Sequence, residues 1–139
     1  MRMHSWFDII ELSYGINTME DIYQNYSQEG MRESIAVITQ LIEEEVEQLG
    51  GNHQKLFIGG FSQGCSLSLA TFFNYEAGRE LGGVVGLSGL MALKVEEEQR
   101  RQIMQDESKK KTPIFLYHGE SDPTISCHMA KQSYEFLNQ

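Results

Sequence analysis

The sequence predicts an α/β fold built on a parallel sheet, and three observations carry that prediction. Three short apolar runs, Lys55 to Phe61, Leu81 to Ser88 and Pro113 to His118, have the length and composition of buried strands. Helical or polar stretches separate them, and strands alternating with helices imply βαβ crossovers with helices on the sheet faces. The third observation is Gly60-Phe61-Ser62-Gln63-Gly64, a G-x-S-x-G pattern at the turn between the first strand and a helix apolar almost all round.

Taken in chain order, Ser5 to Ile10 is a short apolar segment, too near the terminus to place by pattern alone. Residues 13–30 are polar and rich in Tyr, Asn, Gln and Ser, which suits a surface connection. From about Met31 to Leu49 a helix is expected. Ile35, Ile38, Leu41, Ile42, Val46 and Leu49 form one apolar stripe, with Glu43, Glu44 and Glu47 mostly off it. Gly50-Gly51 stops that helix. Lys55 to Phe61 is the first strand, and Ser62 to about Glu76 the next helix. Leu81 to Ser88 is a second buried strand that ends in small residues. Lys94 to Lys111 is so highly charged that it reads as a solvated helix and linker. Pro113 to His118 is the third strand, and Ser126 to Asn138 a final amphipathic helix with Met129, Tyr134 and Leu137 among its apolar positions.

Composition narrows the classes of function. A chain of 139 residues is about one domain, and 40% hydrophobic with 22% charged residues suits a soluble globular protein with a core. A net charge of −9 argues against nucleic acid, whose phosphates need basic patches, and against docking on anionic membranes. Two cysteines, Cys65 and Cys127, are too few for a disulfide framework, so a reducing compartment is the expectation. There is no apolar run long enough for a signal peptide or a membrane span, hence no stable membrane insertion; a cytoplasmic protein is expected.

The G-x-S-x-G turn is where chemistry is expected. A serine that projects its hydroxyl from a strand-to-helix turn takes a strained backbone and needs small neighbours two residues to either side, here Gly60 and Gly64. The N–H of Gln63 is then an oxyanion donor. A serine is a poor nucleophile without a base, and the base needs an orienting acid. Asp122 suits the acid, because His118-Gly119-Glu120-Ser121-Asp122-Pro123 leaves the third strand at the sheet edge that carries Ser62. The alternative for Asp122 is an Asx turn before Pro123. None of the four histidines makes a good base. His4 precedes everything, His53 enters the first strand at the wrong end, and His118 is expected to hold backbone beside the acid loop. His128 follows Asp122 with no strand between, so an exposed helix position is its reading.

Four stretches together resemble the acyl-protein thioesterase / lysophospholipase-carboxylesterase family of the α/β-hydrolases. They are Ser5-Trp6-Phe7-Asp8-Ile9, Gly59-Gly60-Phe61-Ser62-Gln63-Gly64, Gly83-Val84-Val85-Gly86-Leu87-Ser88-Gly89 and the His118 to Pro123 segment, and the similarity runs from about Met3 to Leu137. The resemblance implies an α/β-hydrolase-like three-layer sandwich with a mainly parallel sheet. It also implies a serine hydrolase of acyl thioesters or carboxyl esters, with Ser62 as nucleophile and Asp122 as triad acid. Its substrates would be acylated proteins or lipid esters, with no metal and no cofactor. Cys65 departs from the small residue usual at its position, though a thiol should fit.

Two further departures bear on activity. The family's catalytic histidine lies beyond one more strand after the acid, and its other oxyanion donor lies on an early His-Gly-type loop. No residue here can inherit either role, so residues 1–139 read as a single partial domain, truncated at both ends. Three readings follow: part of an active esterase, an inactive hydrolase-like subunit whose exposed sheet edges a protein partner covers, or an unrelated flavodoxin-like binding domain.

Overall fold

The computed structural model describes residues 4–10 and 16–135. Its centre is a three-stranded, all-parallel sheet in the order β1 (Phe57–Phe61), β2 (Gly83–Leu87), β3 (Ile114–Tyr117). Phe61 pairs with Leu87 and Leu87 with Tyr117, so the C-terminal ends of the three strands are level. The parallel α/β architecture is the one expected from the alternating apolar runs.

Two helices precede the sheet. Residues 19–30, expected to be a surface connection, instead contain α1 (Met19–Asn25) and the first turn of α2 (Gln28–Gln48). The physical reason is local capping. The Thr18 hydroxyl accepts the Asp21 N–H at 3.1 Å, and the Asp21 carboxylate accepts the Thr18 N–H at 2.9 Å. Along α2, Met31, Ile35, Ile42 and Val46 are buried, whereas Leu41 of the expected stripe is about half exposed at 49%. Gly50 and Gly51, both at positive φ, end the helix as expected.

β1 leads into α3 (Gln63–Asn74), which packs against β1, β2 and α2. That sandwiched position explains its sequence: every residue from Cys65 to Phe73 is buried. The charged stretch Lys94 to Lys111 forms α4 (Glu97–Gln105) and α5 (Glu107–Lys111), and here the expectation of a solvated segment needs correction. Lys109 is only 7% exposed. Its ammonium donates to the Tyr75 carbonyl at 3.0 Å and lies 4.8 Å from the centre of the Phe72 ring. The last described helix is α6 (Cys127–Tyr134), with Met129 and Ala130 buried; Leu137 lies outside the described residues.

The two faces of the sheet differ sharply. On one, Val84 and Gly86 are buried against α3. On the other, Phe57, Phe61, Val85, Leu87, Phe115 and Tyr117 are between 36% and 69% exposed, and no described element covers them. No helix among the described residues is long and apolar enough to cross a membrane.

Candidate active site

The end of β1 turns into α3 at a single residue. Ser62 has φ 54° and ψ −117°, a conformation that costs a non-glycine residue roughly 1–3 kcal/mol. Three neighbours hold it there. The Ser62 N–H donates to the Leu87 carbonyl at 2.9 Å, and the Ser62 carbonyl accepts the Ser66 N–H at 3.1 Å, starting α3. A Cβ at Gly60 would fall 2.2 Å from the Gly64 carbonyl carbon, so only glycine lets the strand approach the helix this closely. A Cβ at Gly64 itself would meet nothing within 4 Å. The steric demand of the turn therefore rests on Gly60, with Gly64 as the backbone it packs against.

The turn has further support that the sequence does not advertise. Ser88, just past β2, also has a positive φ of 48°, and its N–H donates to the Tyr117 carbonyl at 2.8 Å. This bend carries Gly89 beneath the serine turn, where a Cβ would sit 2.7 Å from the Ser62 carbonyl oxygen and 2.5 Å from Cys65 Cβ. Cys65 fills the space left by Gly86 and Gly89 and is fully buried; burial pushes its thiol pKa up. The thiol is thus a packing group. The only sequence trace of this support is the small-residue end of the second strand.

Gln63 is the first residue of α3, so its N–H belongs to the group of helix N-terminal donors without an intrahelical acceptor. An anion that forms beside Ser62 meets the positive end of a buried helix.

Asp122 lies on the loop after β3, at the sheet end where β1 delivers Ser62. Its Oδ1 accepts the N–H groups of Thr124 at 2.9 Å and Ile125 at 3.0 Å. The first of these is an Asx turn, so Oδ1 shapes the loop, while Oδ2 lies 3.5 Å from His118 Nε2. The Ile125 N–H holds the carboxyl pKa below its usual value against the opposing effect of burial, with the Thr124 N–H and the His118 ring adding to the lowering. Ser62 follows β1 and Asp122 follows β3, so the width of β2 leaves a gap between their two turns.

No described histidine bridges that gap. His118, with its side chain 7% exposed, donates from Nε2 to the Ile125 carbonyl at 2.8 Å and lies 3.5 Å from Asp122 Oδ2, so it secures the loop that follows β3. His53 precedes β1 at the far end of the sheet and contacts the Arg79 guanidinium at 2.8 Å. His128 is exposed in the first turn of α6, and His4 is exposed near the terminus. Among the described residues no group of three His, Cys, Asp or Glu side chains could hold a metal.

A cavity of about 580 Å³ runs along the outer edge of β1 to Ser62, with Trp6, Phe57, Phe61 and Leu67 in its walls. A larger one, about 850 Å³, lies at the outer edge of β3 among Ile103, Lys109, Ile114 and Tyr134. No strand among the described residues pairs with that edge of β3, and Ser62 is not in the cavity's lining.

The Phospholipase/Carboxylesterase family model matches residues 1–139. Acyl-protein thioesterase 1 of Yarrowia lipolytica is 41% identical over 138 residues, which is 99% of this chain and 54% of that protein. The Debaryomyces hansenii acyl-protein thioesterase 1 is 36% identical over 137 residues, 99% of this chain and 53% of that protein. The crystal structure of Arabidopsis thaliana SOBER1 superposes with a TM-score of 0.74 at 29% identity, covering 98% of this chain and 59% of that one. The chain spans about half the length of the curated relatives it matches.

Proposed function

Because the chain belongs to the phospholipase/carboxylesterase family of α/β-hydrolases, we propose that it carries the nucleophile and the acid of a serine hydrolase acting on acyl thioesters or carboxyl esters. The observation that carries this reading is Ser62, held at φ 54° at the head of the buried helix α3 and level with the loop of Asp122. Ser62 Oγ would attack the acyl carbon while an imidazole takes its proton. The Gln63 N–H and the α3 N-terminus would stabilise the oxyanion, and the thiol or alcohol would leave with the proton. Water would then release the acid by the same steps in reverse roles. Asp122, ionised and fixed through Oδ1, would orient the imidazole through Oδ2. Substrates would be acylated proteins or lipid esters.

On this reading the imidazole and the second oxyanion donor come from outside the described residues, which sets the test. The chain alone should label weakly with a fluorophosphonate probe and hydrolyse a nitrophenyl ester barely, since loss of the base costs on the order of a million-fold in a serine hydrolase. Extension with the flanking segments of a family relative should restore turnover, and Ser62→Ala should remove it again. Strong labelling of the short chain that disappears in His128→Ala would show His128 acting as the base. The uncovered apolar sheet face favours a second reading, an inactive hydrolase-like binding subunit, and an inert extended protein would establish it.

A further inference from the structure

The side chain of Gln63 makes contacts separate from those of its backbone. Its Oε1 accepts the Trp6 N–H at 3.2 Å, and its Nε2 donates to the Phe7 carbonyl at 3.0 Å. A carboxamide offers an acceptor and a donor side by side at any pH near neutrality, which a carboxylate does not. The hydroxyl of Ser34 adds a bond to the Trp6 carbonyl. Beyond this point another part of the fold takes over. The Ser27 N–H donates to the Asp8 carbonyl at 2.8 Å, and the Ile10 N–H donates to the Asn25 carbonyl at 2.9 Å. Residues 8–10 are therefore tied to the α1–α2 junction, whereas residues 6–7 are tied to the residue that follows the nucleophile. Trp6, 48% exposed, lines the cavity that opens at Ser62.

We propose that Gln63 is a positioning residue whose side chain fixes Trp6 as a specificity-determining wall beside Ser62, against which the longer apolar part of a substrate lies. The substrate half of this inference rests on the hydrolase reading above. With the backbone at Trp6 and Phe7 held by these bonds, the indole it carries has fewer positions to lose when an apolar chain packs on it, so binding costs less conformational entropy. An acetyl group is too short to benefit, so the wall selects for length.

Trp6 is the single tryptophan of the chain, and its backbone N–H is the tethered donor. In the 139-residue chain, Gln63→Met keeps the length of the side chain and removes both bonds. Amide exchange at Trp6 should then accelerate about tenfold or more and acrylamide should quench its emission more strongly, while the Ser27 and Ile10 amides keep their protection. Gln63→Glu keeps an acceptor for Trp6 and loses the donor to Phe7, and should be intermediate. Unchanged Trp6 exchange in Gln63→Met, or loss of protection at all three amides in both variants, would overturn the tether. In the protein extended with a relative's flanks, Gln63→Met should lower the ratio of kcat/KM for an octanoyl thioester over an acetyl thioester by ~10-fold. An unchanged ratio would overturn the specificity role. An inert extended parent would refute the hydrolase reading and with it the substrate half, while the Trp6 exchange result would still decide the tether.

Discussion

Ser62 occupies a backbone region that serine avoids, and the turn keeps it there with one indispensable glycine rather than two. The Cβ of an alanine at position 60 would overlap the Gly64 backbone, which cannot move without displacing α3, whereas an alanine Cβ at position 64 meets open space. Gly60→Ala should therefore cost about 1–3 kcal/mol, the usual penalty of overpacking. Gly64→Ala, in the first turn of a helix, should stay within about 0.5 kcal/mol of the parent. Urea titrations of the two variants check this directly, and equal losses would show that both positions are sterically closed. The G-x-S-x-G pattern treats the two glycines alike; only the packing of the strand against the helix separates them.

At the scale of the element, α5 is the segment whose chemistry its sequence conceals. Glu107 to Lys111 reads as a charged surface turn, yet Lys109 is folded inward over Phe72 and Tyr75. Desolvation lowers its pKa from 10.5 to about 8, with Asp106 pulling weakly the other way. The unfolded chain thus binds the Lys109 proton more tightly than the folded one. Below pH 8 the penalty of holding the buried charge is fully present, and it disappears as pH rises from about 8 towards 10.5. The difference in unfolding free energy between the parent and Lys109→Met should accordingly move in the parent's favour over that interval. A difference that stays flat across it would mean the ammonium is solvated. Helix α1 is hidden in the sequence for a related reason: in a polar stretch without an apolar stripe, its start depends on the reciprocal bonds of Thr18 and Asp21.

At the scale of the molecule, the sheet is covered on one face only. Six apolar side chains in register, from Phe57 and Phe61 across Val85 and Leu87 to Phe115 and Tyr117, face outward without cover among the described residues. Patches of this kind drive association. The isolated chain should associate with rising concentration in sedimentation velocity, and Phe57→Thr with Phe115→Thr should shift it towards monomer at little cost in stability, because both rings are already exposed. A chain that stays monomeric at high concentration would show that this face is shielded in solution.

Local sequence determined the parts of this protein that depend on neighbours along the chain. The apolar strand Phe57–Phe61, the serine turn, the largely apolar helix after it and the Asp122 loop each follow from contiguous residues, because strand pairing in a parallel sheet and burial against it favour continuous apolar runs. The tertiary structure alone decided what depends on distant partners. The Gln63 side chain finds Trp6 and Phe7 across more than fifty residues, Lys109 finds the Tyr75 carbonyl across 34, and Gly89 comes to lie beneath Ser62 only because Ser88 bends the chain after β2. A side-chain amide, a lysine and a glycine carry no periodic signal of their own. Their roles arise from where packing brings a backbone group within hydrogen-bonding or van der Waals reach, and that is settled when the sheet and its helices close on one another.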